Sequence, residues 1–84
     1  MKRHTKTYMD YFGYGIDVVI ICECCDYNRA VDIHHVIYKS RGGSDSITNL
    51  CALCRDCHNL AHAEKLSKVE LQMIHNKFLA NYAR

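Results

Sequence analysis

Apolar and polar positions change period several times along the chain, and each change predicts an element. Tyr8, Met9 and Phe12 recur at helical spacing before Gly13 and Gly15, so a short helix is expected within a polar and aromatic leader over residues 1–16. The run Asp17-Val-Val-Ile-Ile-Cys22 is β-branched and reads as a strand or an extended lead-in. Residues 30–37, Ala-Val-Asp-Ile-His-His-Val-Ile, alternate apolar and polar, the pattern of a half-buried strand. A loop with two glycines over 39–46 follows, and Asn49-Leu-Cys-Ala-Leu53 predicts a second short strand. From Asp56 the pattern turns helical. Ser67-Lys-Val-Glu70 has the form of a capping box, in which each side chain satisfies the other residue's backbone N–H. Leu71, Ile74, Phe78 and Tyr82 then fall on one face of a final helix over 67–83. The order predicts a small α+β fold with helices flanking a strand–loop–strand–helix core.

Size changes how this pattern is read. With 84 residues the chain is expected to form one domain, 1–84. So short a domain buries only about 60% of the surface its unfolded chain exposes, and usually needs a staple. Six Cys and six His supply the material for one. The absence of Pro and Trp, scarce Gly and a hydrophobic content of 49% argue against linkers, low-complexity tracts and disorder. A disulfide framework would call for export. Lys2, Arg3 and Lys6 open the chain, but Asp10 and Asp17 follow, and Val18 to Cys22 is too short for a signal core or a membrane span. The expected compartment is therefore the reducing cytoplasm, where such cysteines more often hold metal.

Cys22-x2-Cys25 and Cys54-x2-Cys57 are two CxxC pairs with residues 26–53 between them. Tetrahedral zinc takes four soft ligands, and two such turns deliver them from distant segments. The separation exceeds the usual ribbon spacing of about 15–20 residues, leaving room for a β-hairpin between the knuckles. Cys51-x2-Cys54 is also a CxxC, and Cys24 sits inside the first pair. Cys54 and Cys57 are the preferred ligands, because Cys51 falls within the second predicted strand. Cys24 and Cys51 then read as small buried hydrophobes.

His58 and His62 stand four apart on the predicted helix, so both can face one metal ion, and His34 can add a third ligand from the hairpin. His34 and His35 are adjacent on a strand, so pleating should send them to opposite faces. One ligand and one base is the division expected. An imidazole titrates near neutral pH and can accept a proton from water. His4 and His75 read as solvated or internally satisfied side chains.

The succession Cys-x2-Cys, Val-Asp-Ile-His-His-Val, Gly-Gly, Asn-Leu, Leu-Cys-x2-Cys-His-x3-His over about residues 20–63 resembles the HNH endonuclease family. The resemblance implies a ββα-metal finger stapled by a four-cysteine zinc knuckle pair, and phosphodiester hydrolysis with a divalent ion. It implies His35 as the general base and His34 as the metal ligand before it, where many members have Asp. It implies Asn49 as the residue bracing the loop that orients His35, His58 and His62 as further ligands of the catalytic ion, and Cys22, Cys25, Cys54 and Cys57 as ligands of a structural Zn²⁺. Three imidazoles suit Mn²⁺, Ni²⁺ or Zn²⁺ better than Mg²⁺, although members of the family often use Mg²⁺ or Mn²⁺.

The partner expected is DNA, and no membrane. The formal charge of +2 is weak support, since four thiolates and one zinc ion would bring the chain to about neutral. Local contacts must act instead. Lys39 and Arg41 on the hairpin loop and Arg55 between the second-knuckle cysteines are the candidate phosphate contacts, with Arg29 near the first knuckle and Lys2, Arg3 and Lys6 as a basic arm. Such contacts read no sequence, so specificity is expected to come from a protein partner or a dimer. The resemblance implies a phage, restriction or mobile-element setting, and the sequence does not choose among them. The competing reading is a non-catalytic zinc module that binds nucleic acid or protein. It has no use for His35, Asn49 and the His-x3-His pair together. A thiol-redox role lacks the βαβ setting its motif needs.

Overall fold

In the computed structural model, which describes residues 2–82, the chain runs through helix α1 (Arg3–Phe12), strand β1 (Asp32–His35), strand β2 (Leu50–Leu53), helix α2 (Arg55–His62) and helix α3 (Lys68–Tyr82). Short 3-10 turns occupy Lys39–Arg41 and Ile47–Asn49. The strands pair antiparallel, with Asp32 opposite Leu53, His34 opposite Cys51 and His35 opposite Leu50. Two strands bury little by themselves, so each face of the hairpin needs a cover.

The pleat decides which cover each residue meets. Ile33, Leu50 and Ala52 pack with Tyr8 and Phe12 of α1 and with Phe78 and Leu79 of α3. Cys51 and Leu53 turn to the other side and join Val36, Ala61 of α2, Leu71 of α3 and the sulfurs of Cys22, Cys54 and Cys57. The result is the expected small α+β fold, a ββα unit with four cysteines gathered as in a zinc knuckle.

Helix boundaries follow local signals. Helix α1 stops at Gly13, whose φ of 71° lets its own N–H reach the Asp10 carbonyl at 3.2 Å and the following Tyr14 N–H reach the Met9 carbonyl at 2.8 Å. Helix α2 begins one residue before the expected Asp56, because the Cys54 sulfur caps it by accepting the Cys57 N–H. Ser67 and Glu70 form the reciprocal pair expected of a capping box, at 3.0 and 3.1 Å. The final position of the helix expected over 67–83 and the first residue of the 1–16 leader lie outside the described residues.

Two segments depart from the expected pattern, and a third resolves between its two readings. Residues 17–22 form no strand and serve as the lead-in, with one isolated bridge, Ile21 to Arg29, and with Val18, Val19 and Ile21 about half exposed. The expected strand over 30–37 contracts to Asp32–His35. Asn49 belongs to a 3-10 turn rather than to β2, because its side chain is pulled back onto the loop. The buried side of α3 also differs, since His75 sits beside Leu71 on it while Ile74 stays half-buried.

A buried polar knot joins all these parts. The Glu23 carboxylate, between Cys22 and Cys24, accepts hydrogen bonds from Tyr8 Oη at 2.5 Å, Ala52 N–H at 3.1 Å, the Cys51 thiol at 3.5 Å and His75 Nδ1 at 2.7 Å. His75 Nε2 donates onward to the Ile47 carbonyl. Both the Glu23 and His75 side chains are fully buried, and the described residues contain no unsatisfied buried side-chain polar atom. Burial opposes a charge on His75, but the Glu23 carboxylate outweighs it and holds the imidazole above its ordinary pKa.

Candidate metal centres

Cys22 and Cys25 belong to a turn in which the Asp26 N–H returns to the Cys22 carbonyl at 3.0 Å and Asp26 takes a φ of 57°. Cys54 and Cys57 flank the start of α2. The fold brings the four sulfurs within 4.8 Å of one another, and Cys25 and Cys54 are 3.9 Å apart. Zinc bound to four sulfurs at about 2.3 Å would set them about 3.8 Å apart, so the donor set fits that ion. The surroundings favour thiolate on part of the set. The Asn28 and Tyr27 N–H groups draw the Cys25 thiol below its usual range. Burial opposes ionisation of Cys54, but the Cys57 N–H and the Asn28 amide bring it to about 7. Burial pushes Cys22 and Cys57 up, a penalty that a bound cation would remove. Cys51 is fully buried and turned to Glu23, and all six cysteines are free thiols.

A second cluster joins β1 to α2. His34 lies on the α2 face of the hairpin, and its ring centroid is 5.2 Å from His58 and 5.4 Å from His62. The Nε2 atoms of His58 and His62 stand 3.0 Å apart, and one ring nitrogen of each of the three histidines lies within 4.8 Å of the others. Burial, with the neighbouring imidazoles His58 and His62, lowers the His34 pKa to about 4. It is therefore the neutral imidazole, the form that offers a lone pair, at ordinary pH. Burial and His62 lower His58 as well. Two groups absent from the expected set hold these rings. Asp32, on the same face as His34, places Oδ2 3.5 Å from His58 Nε2, and Tyr38 Oη lies 3.4 Å from His62 Nδ1 with its ring stacked on that imidazole. Three imidazole nitrogens converging from a strand and one helix face fit a divalent ion of the Mn²⁺, Ni²⁺ or Zn²⁺ type.

His35 takes the opposite face, as adjacent strand residues must. Its Nε2 lies 2.8 Å from Asp45 Oδ1, and its ring packs 4.5 Å from that of His4 at the start of α1. Asp45 also receives Lys39 Nζ at 3.0 Å, and these bonds, His35 first, hold its carboxyl below the usual carboxylate range. Both faces nevertheless open into one groove, lined by His34, His58 and His62 and by His4, His35 and Lys39. Asn49 is buried, with 6% of its surface exposed, and fastens the loop beside it. It accepts the Ile37 N–H at 2.8 Å and donates to the carbonyls of Ile37 at 3.0 Å and Ser44 at 2.8 Å.

The expected basic contacts divide. Lys39 lines the groove, whereas Arg41 and Arg55 are exposed, on the 3-10 turn and at the first residue of α2, outside its lining. Arg29 is exposed beside the first knuckle, and Lys2 lines the groove. Among the described residues no helix is long and apolar enough to cross a membrane.

The HNH endonuclease family profile matches residues 22–64. The chain is 38% identical over 64 residues to the type IV methyl-directed restriction enzyme EcoKMcrA of Escherichia coli strain K12, covering 66% of this chain and 23% of the enzyme. It is 40% identical over 43 residues to anaredoxin of Nostoc sp. PCC 7120, covering 51% of this chain and 57% of that protein. The chain thus spans about a quarter of the first relative and just over half of the second. No solved structure matches it.

Proposed function

Because the chain belongs to the HNH endonuclease family, we propose that it is a metal-dependent DNA endonuclease in which His35 is the general base and His34, His58 and His62 hold the catalytic divalent ion. The observation that carries this reading is the groove itself, which three converging imidazole nitrogens and the separate His35 imidazole line together. When bound there, a divalent ion supplies Lewis acidity and a clamp for charge developing on the phosphate. The chain's own residues do the rest. His35 takes the proton from the attacking water. Asn49 keeps the loop over residues 37–44 in place, and so acts on the chemistry through position.

Cys22, Cys25, Cys54 and Cys57 hold a structural zinc that fixes the knuckle to α2, and with it His58 and His62. Such a thiol site suits a reducing, cytoplasmic setting. Lys39, Arg41 and Arg55 contact phosphates and set the duplex in the groove without reading bases. Residues 1–84 act as one nuclease unit, and choice of target comes from a protein partner or a second copy.

Plasmid cleavage by the zinc-loaded chain tests the reading, with chelator, Mg²⁺, Mn²⁺ or Ni²⁺ added. Nicking should depend on the added divalent ion. It should fall by about 10²–10⁴-fold in His35→Ala, with zinc content and circular dichroism unchanged. No cleavage by folded, zinc-loaded protein with any of these ions would favour the non-catalytic zinc module instead.

A further inference from the structure

We propose that Asp45 is the positioning residue for His35, fixing the imidazole as the tautomer with its proton on Nε2 and its lone pair on Nδ1. The proposal rests on the reading of His35 as the base. Its geometry stands independently. Asp45 Oδ1 lies 2.8 Å from His35 Nε2, and the side chains are only 21% and 14% exposed. An ionised carboxylate accepts hydrogen bonds and cannot donate, so the ring nitrogen facing it must carry the proton. The other nitrogen is then free to accept one.

The carboxylate is itself held on its far side and from behind. Its second oxygen, Oδ2, takes Lys39 Nζ at 3.0 Å. The preceding residue is anchored through its carbonyl, which accepts from Asn49 Nδ2 at 2.8 Å. Two residues before Asp45, Gly43 runs against the Ile37 and Tyr38 carbonyls so closely that any Cβ would collide with them. His4 packs on the His35 ring from α1 and limits its rotation. Asn49 therefore reaches the base through a covalent and hydrogen-bonded path, Ser44 to Asp45 to His35. Lys39 has a role in this path besides any phosphate contact.

Asp45→Asn separates this role from a packing role. The substitution keeps volume and leaves an oxygen for Lys39. Lys39 can only donate, so it retains that oxygen, and the new amide NH₂ is turned to His35 Nε2. The proton on the imidazole must then move to Nδ1, leaving no lone pair there for water. The expected result is a switch of His35 from the Nε2–H to the Nδ1–H tautomer, read by long-range ¹H–¹⁵N spectra of the zinc-loaded chain. In plasmid cleavage, kcat should fall on the order of 10²-fold, KM should hold, and the isosteric Asn should be no milder than Ala. On a His35→Ala background the same change should have an effect within about twofold.

An unchanged His35 tautomer in Asp45→Asn would overturn the proposal, as would an equal loss of kcat with His35 already removed. Loss of one bound divalent ion per chain, with structural zinc retained, would overturn it too, by making His4, His35 and Asp45 a metal site. A tautomer that switches in a chain without any cleavage activity would retain Asp45's hold on the ring and sink the nuclease reading alone.

Discussion

Glu23 is the residue whose loss should damage this fold most for its size. Glu23→Ala removes the acceptor of Tyr8 Oη, Ala52 N–H and His75 Nδ1, all in a space closed to water. Each stranded donor costs about 1–3 kcal/mol, and breaking a buried charged pair about 3–5 kcal/mol. Because the groups share one site, about 3–5 kcal/mol is the expected total. A domain of this size has a stability near the lower end of about 5–15 kcal/mol, so most of it would go, with a fall in Tm of about 12 °C or more. Glu23→Gln should behave differently. One oxygen remains for Tyr8 and Ala52, and the new NH₂ can donate to His75 Nδ1 once that ring is neutral. The neutral ring keeps Nε2–H on the Ile47 carbonyl. The second amide N–H can go to the Cys51 sulfur, which loses its acceptor but can itself accept, so every heavy atom keeps a partner and the loss should be within about 1 kcal/mol.

The two variants also differ in pH dependence. In the natural chain the His75 pKa is raised in the folded state. Its stabilising share is therefore fully present below the ordinary value of about 6.5 and is lost as pH rises through the raised folded value. In Glu23→Gln the buried ring resists protonation, so stability should instead fall as pH drops below about 6.5. The gap between the two proteins should be widest in mild acid and close toward alkaline pH. Urea unfolding at fixed free zinc, from about pH 5.5 to 8.5, measures this. Glu23→Gln as damaging as Glu23→Ala, or a gap that does not close as pH rises, would refute the reasoning.

Three further outcomes are expected. Cys57→Ser should abolish tight zinc binding and the circular dichroism of the folded chain, as chelation of the natural protein should, whereas Cys24→Ser should keep one zinc, measured by metal analysis. Gly43→Ala puts a Cβ into the Ile37 carbonyl and within 2.9 Å of the Tyr38 oxygen, so the loop must shift; a stability loss of about 2 kcal/mol or more in urea, with nicking reduced, is expected. His62→Ala removes one of three imidazole nitrogens, and calorimetric titration of the zinc-loaded protein with Mn²⁺ or Ni²⁺ should show a site weaker by about tenfold or more while the fold persists.

Much of the architecture is legible because its signals are local. Periodicity places α1, the hairpin and α2, and the capping box at Ser67 and Glu70 announces α3 through bonds made within a few residues. The pleat rule alone separates His34 from His35. The missed features depend on neighbours that sequence spacing does not reveal. Val18 to Cys22 has the composition of a strand or of a lead-in, and the lack of a partner strand beyond the Ile21–Arg29 bridge decides for the lead-in. Asn49 leaves the strand because two loop carbonyls claim its amide. Glu23, Asp32 and Asp45 carry no spacing signal of their own, and each meets its histidine only through the fold.

The sequence by itself determined the candidate donor groups and their spacing, because CxxC and His-x3-His are short-range geometries that a turn and a helix produce wherever they occur. Only the tertiary structure decided which of the six cysteines converge, and that His75 belongs to a buried acid while His35 belongs to Asp45. Those choices join residues as far apart as Glu23 and His75, and are set by how two small hydrophobic faces close over one hairpin.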